Sequence, residues 1–313
     1  MENLECAIKE IKKNMPELEI LENEPMSRHC SFKIGGPVRA FAAPQNEQEL
    51  KTLCRILASE HTGAMVLGNG SNILFPDEGL KDLIIISTEK LDGLELMDEE
   101  RIYAGAGISL SRLAGFAMQN GLAGLEFASG IPGTLGGGCI MNAGAYGGEL
   151  CGCIESVKCY EPKTGKITEL SNAQCEFKYR GSIFKNNPDY IILSAVLKLQ
   201  KGDKTEISEK IKELNAKRRE KQPLDLPSAG SAFKRPEGYF AAALIDEAGL
   251  KGFSVGGAQI STKHAGFVVN TGNATARDVQ SLLKTVQEKV FDKSGVRIEP
   301  EVIILPSDYS AEY

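Results

Sequence analysis

The sequence of 313 residues predicts an α+β fold in two parts. Helical patterns, with apolar residues every three or four positions, alternate with short apolar runs typical of buried strands. Glycines crowd into one region of the first two thirds of the chain, and the polar stretch Lys201–Lys204 then separates that region from a second α+β section. We therefore expect one part over residues 1–202 and a C-terminal domain over residues 203–313.

Charge and apolar content exclude several classes of protein. The chain has 36 Lys and Arg against 42 Asp and Glu, a net charge of −6, which argues against a general nucleic-acid or anionic-membrane binder. The longest apolar run, near Leu83–Ile86, is far shorter than the roughly 18–20 residues of a membrane span. Of the eight cysteines, Cys151 and Cys153 form the only close pair and lack the spacing of a zinc site. We expect a cytoplasmic protein with no metal, no nucleic-acid or membrane partner, and no obligate protein partner.

The first elements follow from hydrophobic spacing and capping residues. Leu4, Ile8 and Ile11 have helical spacing, and Leu18–Leu21 and Ser31–Ile34 are expected to be extended. Further along, two amphipathic patterns start at typical N-cap residues, and three short apolar runs indicate strands. The predicted elements are a helix capped by Asn46, a helix capped by Ser109, and strands at Ala64–Leu67, Leu83–Ile86 and Arg101–Ala104.

Between Gly130 and Gly152 the glycines are too dense to favour regular structure, because each loses much backbone entropy on ordering. This region is expected to consist of shaped loops. After it, a hairpin turn at Lys163–Lys166 and a strand at Tyr190–Leu199 are predicted. The remaining elements are a helix with Ile207, Ile211 and Leu214, a helix near Phe240–Ala248, a Thr275-capped helix, and strands at Ala265–Asn270 and Val296–Leu305.

Two segments have the composition of backbone-rich ligand loops. Gly68–Asn72 directly follows a predicted strand, and its glycines allow several backbone N–H groups to approach one anion, such as a diphosphate. Taken alone, it is more typical of an ordinary tight loop. A second such segment at Ser129–Gly138 favours one long ligand held by both, for example the dinucleotide FAD. No G-x-G-x-x-G opens a helix, which argues against a Rossmann-type nicotinamide site.

The motifs, in order, resemble those of the UDP-N-acetylenolpyruvoylglucosamine reductase family. They are SFKIGG (31–36), LGNGSNIL (67–74), GLEFASGIPGTLGGG (124–138) with MNAGAYGGE (141–149), YRGSIFK (179–185), AGSAFKRP (229–236), KHAGFVVN (263–270) and EPEV (299–302). The resemblance implies an FAD-binding part of the vanillyl-alcohol-oxidase type, with two α+β subdomains meeting near residue 75, followed by a substrate-binding domain. It also implies NADPH-dependent reduction of an enolpyruvyl ether on a UDP-sugar, with NADPH and the sugar nucleotide using one cleft in turn.

The resemblance assigns a role to each matched residue of the flavin site. No histidine follows Gly70 as in covalently flavinylated oxidases of this fold, so noncovalent FAD is expected. The expected cofactor-binding residues are Gly68, Asn69, Gly70, Ser71, Asn72, Ile131, Pro132, Gly133, Thr134, Ala143 and Gly144.

Three further residues are implied in catalysis. Hydride addition to a vinyl ether conjugated with a carboxylate leaves negative charge that must be stabilised and then protonated. Arg180 is expected to bind that carboxylate or enolate through its planar fork, Ser231 to donate the proton, and Glu301 to assist the enolate step. Without the motifs, the sequence favours a surface arginine for Arg180, and the other two residues are compatible with a loop or cap serine and a strand-face carboxylate.

Substrate contacts are implied for a last group of matched positions: Tyr146, Tyr179, Lys221, Lys263 and Asn270. Lys221 resembles a lysine that contacts the UDP diphosphate, whereas the neighbouring residues 217–219 are interpreted as complementing a helix C-terminus. Tyr146, Lys263 and Asn270 are equally compatible with packing or strand polarity.

The sequence differs from the family pattern at two points, and two other functions remain open. Cys30 stands where the family commonly has Thr, and the chain has no room for the extra tyrosine-bearing loop that covers substrate in one subgroup, so it resembles the short-loop subgroup. The other functions are an oxidase of the same flavin fold and a non-catalytic flavin-binding module.

Overall fold

A computed structural model describes residues 2–187 and 189–310. Its helices are α1 (Glu2–Asn14), α2 (Glu47–Ser59), α3 (Leu110–Gln119), α4 (Leu135–Met141), α5 (Ile183–Asn186), α6 (Lys204–Lys221), α7 (Ala241–Glu247) and α8 (Ala276–Ser294). Its strands are β1 (Ile20–Pro25), β2 (Pro37–Ala42), β3 (Ala64–Leu67), β4 (Ile73–Leu74), β5 (Leu80–Ser87), β6 (Leu94–Leu96), β7 (Arg101–Gly105), β8 (Leu122–Ala123), β9 (Gly144–Ala145), β10 (Gly148–Glu149), β11 (Ile154–Glu161), β12 (Lys166–Ser171), β13 (Ile191–Lys198), β14 (Gln200–Lys201), β15 (Ser228–Ser231), β16 (Ser254–Val255), β17 (Ala258–Ile260), β18 (Phe267–Asn270) and β19 (Ile303–Ile304).

Three sheets organise these elements. The first has the order β1-β2-β5-β3, with β5 parallel to β2 and β3, and the second is the antiparallel sheet β12-β11-β13-β7-β6. The third, β15-β18-β17-β16, lies in the C-terminal part of the chain. That part is joined to the N-terminal part by β19, which pairs in parallel with β4. Within residues 2–187 and 189–310, none of the helices combines the length and the apolar character that crossing a bilayer requires.

The apolar run on β5 explains how the first sheet packs. Ile84 and Ile86 face a core formed with α1 and α2, whereas Leu83 and Ile85 face a core shared with the C-terminal part. Since successive side chains of a strand point to opposite faces, a strand buried on both faces has a continuous apolar sequence. The second sheet packs with α3 and α4 around a separate core that contains Leu113.

The capped helices are confirmed. The side chains of Asn46, Ser109 and Thr275 each accept a hydrogen bond from the backbone N–H three residues on, and Thr275 forms a full capping box with Asp278. The α+β fold class, the hairpin after β11 and the long strand β13 are confirmed as well. The domain boundaries near residues 75 and 202 stay predictions.

Three predictions of secondary structure were wrong. Ser31–Ile34 forms a turn, with Lys33 at φ +57° and its N–H donating to the Cys30 carbonyl at 3.3 Å. Val296–Leu305 is a strand only at Ile303–Ile304. Residues 299–301 bond to residues 232–234, residues 303–305 bond to residues 72–74, and this change of partner interrupts the strand.

The third wrong prediction concerns the glycine-rich region, which contains α4. Thr134 caps this helix, and a Cβ on Gly138 would lie 2.7 Å from a methyl carbon of Leu150. A Cβ on Gly136 would lie 3.1 Å from that of Ala106. Because these glycines have no side chain, Leu150 and Ala106 can pack closely against the helix, and that packing offsets the low helix propensity of glycine.

Candidate active site

One cavity, with a volume of about 230 Å³, lies where the first sheet and α4 meet the C-terminal part. All eleven predicted cofactor-binding residues line it, as do Arg180, Ser231 and Glu301. The structure therefore brings together residues that lie more than 200 positions apart in the sequence.

The first wall of the cavity is the loop between β3 and β4. Gly70 has φ +56°, and a Cβ there would lie 2.4 Å from the carbonyl oxygen of His29. Only glycine fits such a position without displacing backbone. The Asn69 side-chain amide donates to the Pro132 carbonyl at 3.1 Å and so connects this loop to the second wall.

The second wall is the segment that leads into α4. Thr134 accepts a hydrogen bond from the Gly137 N–H at 3.4 Å, which turns the chain into the helix. A Cβ added at Gly133 would meet only the Ser71 hydroxyl, at an ordinary 3.5 Å. Gly133 is therefore not required by the packing of the protein itself, and its missing side chain leaves space for a ligand between the two loops. This space and the two backbone-rich walls fit a dinucleotide such as FAD.

The third wall carries side chains that can act on a substrate. The Arg180 Nε donates to Glu301 Oε1 at 2.6 Å, and both side chains are largely buried, at 21% and 12% exposed. Burial raises the pKa of the Glu301 carboxyl above its ordinary value, and this effect outweighs the opposing influence of Arg180. Among the described residues, neither Nη group of Arg180 has a hydrogen-bond partner, so both are available to an anion.

Backbone pairing sets Ser231 beside Glu301. The segment after β15 pairs antiparallel with residues 299–301, because the Glu301 N–H donates to the Ala232 carbonyl at 2.8 Å and Phe233 bridges to Pro300. Within the part of the chain that the structure describes, the Ser231 hydroxyl makes no hydrogen bond, and Ser231 lines the cavity. A serine hydroxyl and a carboxyl group thus share one wall with a guanidinium.

The two glycine-rich loops are directly linked to the wall that carries Arg180, Ser231 and Glu301, which we call the reactive wall. The Asn72 side chain donates to the Glu301 carbonyl at 3.3 Å, and β4 continues from this loop into its pairing with β19. On the other side, the Ser31 N–H donates to the Gly70 carbonyl, and the Ser31 hydroxyl donates to the Ser228 carbonyl at 2.6 Å. Through these contacts, the loop of Gly70 positions the strand that carries Ser231 and the segment before β19 that carries Glu301.

Only two of the five predicted substrate residues lie next to this cavity. Tyr146 and Tyr179 line a groove that shares Gly144 and Arg180 with the cavity, and they are 46% and 49% exposed. The Tyr179 hydroxyl accepts a hydrogen bond from the Arg235 N–H at 3.2 Å, which fixes the loop on the far side of the groove.

The other three have different surroundings. Lys221 ends α6 and lines neither the cavity nor the groove. The Lys263 ammonium donates to the Arg219 carbonyl at 2.6 Å, close to the end of the same helix. Asn270 is buried: its amide donates to the Phe32 carbonyl, and its oxygen accepts from the N–H groups of residues 272 and 274. Its polar groups hold the turn after β18.

Arg218 is a residue that the sequence analysis interpreted wrongly. It is 8% exposed, donates to the Gly130 carbonyl, and stands 5.8 Å from the Tyr146 ring centroid, while its Nε has no partner among the described residues. Helical spacing predicts this burial. Positions 207, 211, 214 and 218 lie on the same face of α6, so Arg218 points inward while its neighbours are exposed.

Comparison with known proteins identifies the family to which this chain is similar. Residues 38–171 match the FAD binding domain family, and residues 222–305 match the C-terminal domain of UDP-N-acetylenolpyruvoylglucosamine reductase. A protein of that name from Caldanaerobacter subterraneus subsp. tengcongensis is 46% identical over 96% of this chain and 98% of its own, and one from Clostridioides difficile is 46% identical over 93% of this chain and 94% of its own.

A solved structure is similar to this one over most of the chain. The crystal structure of UDP-N-acetylenolpyruvylglucosamine reductase from Thermus caldophilus superimposes with a TM-score of 0.78 at 35% identity, covering 92% of this chain and 99% of the other. FAD is thus the cofactor of this protein, and the fold class predicted from the sequence is confirmed. The chain belongs to the UDP-N-acetylenolpyruvoylglucosamine reductase family, FAD-dependent oxidoreductases of peptidoglycan synthesis.

Proposed function

We propose that this cavity reduces the enolpyruvyl ether of UDP-N-acetylglucosamine-enolpyruvate to UDP-N-acetylmuramate, with NADPH as the source of hydride. The observation that carries the proposal is the convergence of Arg180, Ser231 and Glu301 on one wall of a cavity whose other walls are glycine loops. When bound, FAD supplies a two-electron carrier between the nicotinamide and the enolpyruvyl group. The loops Gly68–Asn72 and Ile131–Thr134, with Ala143 and Gly144, hold it without a covalent bond.

Arg180 is the residue that binds the anionic end of the substrate. Its Nε is engaged by Glu301, and the two Nη groups remain to hold the enolpyruvyl carboxylate in a bidentate pair. Addition of hydride to the terminal vinyl carbon moves negative charge onto the neighbouring carbon and this carboxylate. A fixed guanidinium stabilises that charge without having to reorganise.

Ser231 completes the reduction by giving a proton to the carbanionic carbon. A hydroxyl of high pKa is a poor acid for most purposes, but a carbanion is basic enough to accept its proton. The absence of a hydrogen-bond partner for this hydroxyl among the described residues supports the assignment, since no other group competes for the proton. The serine then recovers a proton from solvent.

Glu301 assists beside Ser231 and Arg180. The raised pKa of its carboxyl favours the protonated form more than an exposed glutamate would, so the group can donate a hydrogen bond toward the developing enolate. Its contact with Arg180 also orients the guanidinium.

The groove of Tyr146 and Tyr179 is the path on which we infer that the sugar nucleotide lies. Arg218, buried beside Tyr146 with an unpaired Nε, supports an anion-binding role at this end of α6. Lys221, Lys263 and Asn270 stay predicted substrate residues, although the contacts of Lys263 and Asn270 support structural roles at least as well.

We further infer that the enzyme acts in the cytoplasm, where NADPH and nucleotide sugars are available, and without an obligate protein partner. Residues 203–313 are proposed as the substrate-binding domain. The flavin-binding part, residues 1–202, is proposed to divide near residue 75.

Steady-state turnover tests this proposal against its alternatives. We expect NADPH oxidation that depends on the enolpyruvyl UDP-sugar and yields a product heavier by two hydrogens in mass spectrometry. NADPH oxidation that depends only on oxygen would indicate an oxidase. A protein that binds FAD but reduces neither acceptor would be a binding module.

A further inference from the structure

The turn that carries Arg180 has an unfavourable backbone conformation. Lys178 and Gly181 exchange two backbone hydrogen bonds, of 2.9 and 3.0 Å, which leaves Tyr179 and Arg180 as the central residues of a tight turn. Arg180 has φ +54°, in the left-handed region that favours glycine. A residue with a Cβ persists in this region only where surrounding contacts hold it, and such positions cluster at functional sites.

Two contacts hold Arg180, one at each end of the residue. Its Nε donates to Glu301 Oε1 at 2.6 Å, and its backbone carbonyl accepts a hydrogen bond from the Lys185 ammonium at 3.0 Å. The lysine side chain starts from the short helix α5, which is anchored by the buried ring of Phe184 and by the Ser182 hydroxyl, a donor to the Ile140 carbonyl at 2.9 Å. The backbone of Lys185 is therefore held in place, and its ammonium can fix the turn.

The ammonium of Lys185 also belongs to the charge field around Glu301. The cationic groups that face Glu301 are Arg180 from the turn, Lys185 from α5 and Lys234 from the segment after β15, and each lowers the pKa of the carboxyl against the effect of burial. Lys234 is already paired with Glu299 at 2.9 Å. Lys178, although part of the same turn, bonds to neither Glu301 nor the Arg180 carbonyl.

We propose that Lys185 is a positioning residue for Arg180: its hydrogen bond to the Arg180 carbonyl fixes the left-handed turn so that the guanidinium presents its free edge to the substrate carboxylate. This inference rests on the function proposed above, in which Arg180 binds that carboxylate. Lys185 itself does not contact the substrate. Without its hydrogen bond, the turn relaxes and the guanidinium moves from its position relative to Glu301.

Three variants separate positioning from a general charge effect. Lys185→Met keeps the length of the side chain but removes the hydrogen bond, Lys185→Arg restores a cationic donor, and Lys178→Met is the matched control in the same turn. Because Lys185 is exposed, Lys185→Met is expected to retain wild-type FAD content and melting temperature. Loss of FAD from both Lys185→Met and Lys185→Gln would show a structural role and overturn the proposal.

The first readout is ligand binding to the oxidised enzyme by calorimetry. Lys185→Met should bind the enolpyruvyl UDP-sugar about 10-fold more weakly, while UDP-N-acetylglucosamine, which lacks the carboxylate, should bind as to the wild type. Equal losses for both ligands would overturn the proposal, because they would show a contact with the nucleotide sugar instead of an effect through Arg180.

The second readout is anaerobic stopped-flow kinetics. Bleaching of the flavin by NADPH should stay near the wild-type rate in Lys185→Met, whereas reoxidation by the enolpyruvyl UDP-sugar should slow about 10- to 100-fold, the cost of a small misplacement of a catalytic group. Lys185→Arg should recover most of the loss, and Lys178→Met should match the wild type. The apparent pKa of the reoxidation step should also move up in Lys185→Met and not in Lys178→Met.

A wild-type reoxidation rate in Lys185→Met would overturn this inference and leave the proposed function standing. Failure of the wild-type enzyme itself to be reoxidised by the enolpyruvyl UDP-sugar would instead refute the proposed function, on which the inference rests.

Discussion

The two sides of the cavity are built in different ways. One side consists of the two backbone-rich segments Gly68–Asn72 and Ile131–Thr134, in which positions 68, 70 and 133 have no Cβ. The opposite side consists of charged and polar side chains, and its central contact, from Arg180 to Glu301, joins residues 121 positions apart. In the function proposed above, the first side recognises the cofactor by shape and backbone hydrogen bonds, whereas the second acts on charge that appears during the reaction. Variants on the two sides should therefore fail in different half-reactions.

The largest expected effect is that of Ser231→Ala on the second half-reaction. NADPH needs no proton from this hydroxyl to reduce the flavin, so bleaching should be nearly unchanged. Reoxidation by the enolpyruvyl UDP-sugar should slow by about 10²–10⁴-fold, the usual cost of losing a positioned general acid. Both rates are measured by anaerobic stopped flow, and Ser231→Cys should recover part of the loss because a thiol is also a donor. Equal slowing of both steps would make Ser231 a structural residue.

Next in size is Arg180→Lys, which keeps the charge but loses the planar fork. The variant should bind FAD and accept hydride, while kcat/KM for the enolpyruvyl UDP-sugar falls about 10²-fold, as for the loss of one donor to a developing anion. Arg277→Lys, at an exposed arginine of α8, is the control and should be unaffected. Wild-type kcat/KM in Arg180→Lys would remove Arg180 from the mechanism.

A smaller effect, on the opposite side, is expected for Gly133→Val. The protein has room for a Cβ at this position, so the variant should fold, but its side chain occupies the space between the two loops and should weaken FAD binding about 10-fold or more. Gly115→Val on α3, where there is also room for a Cβ, is the matched control. Gly70→Val would lose FAD too, but its clash with the His29 backbone makes that loss uninformative. Unchanged affinity in Gly133→Val would show that the flavin lies elsewhere.

The smallest effect concerns the stability contributed by Glu301. Since burial raises its folded-state pKa above the unfolded value, its stabilising contribution is complete below the unfolded pKa and is lost as pH rises through the folded pKa. Glu301→Gln does not titrate. Relative to wild type, its free energy of unfolding in urea should therefore rise between pH 4 and neutrality. The opposite trend would show that Arg180 outweighs burial at this carboxyl.

The same contrast explains how much could be predicted from the sequence. Glycine clusters and N-cap residues such as Asn46 and Thr275 act locally, so composition and spacing predicted the two glycine-rich loops that line the cavity and the capped helices. Helix α4 was missed because its glycines are explained only by the neighbours Ala106 and Leu150, which sequence spacing does not identify. The order of motifs indicated the residues of the reactive wall, but their contacts depend on strand pairing over long separations. The burial of Arg218 can be predicted from its helical spacing, but it was overlooked because its basic neighbours are exposed.

In the proposed function, one cavity serves both half-reactions, with NADPH and the sugar nucleotide entering in turn. Stopped flow can test it directly if oxidised enzyme is mixed first with increasing enolpyruvyl UDP-sugar, which does not react with oxidised flavin, and then with NADPH. We expect the rate of flavin bleaching to fall as the concentration of the enolpyruvyl UDP-sugar rises, and to recover at high NADPH concentration, because the two ligands compete for one site. A bleaching rate independent of the sugar nucleotide at saturating concentration would place the two ligands in separate sites and contradict the account.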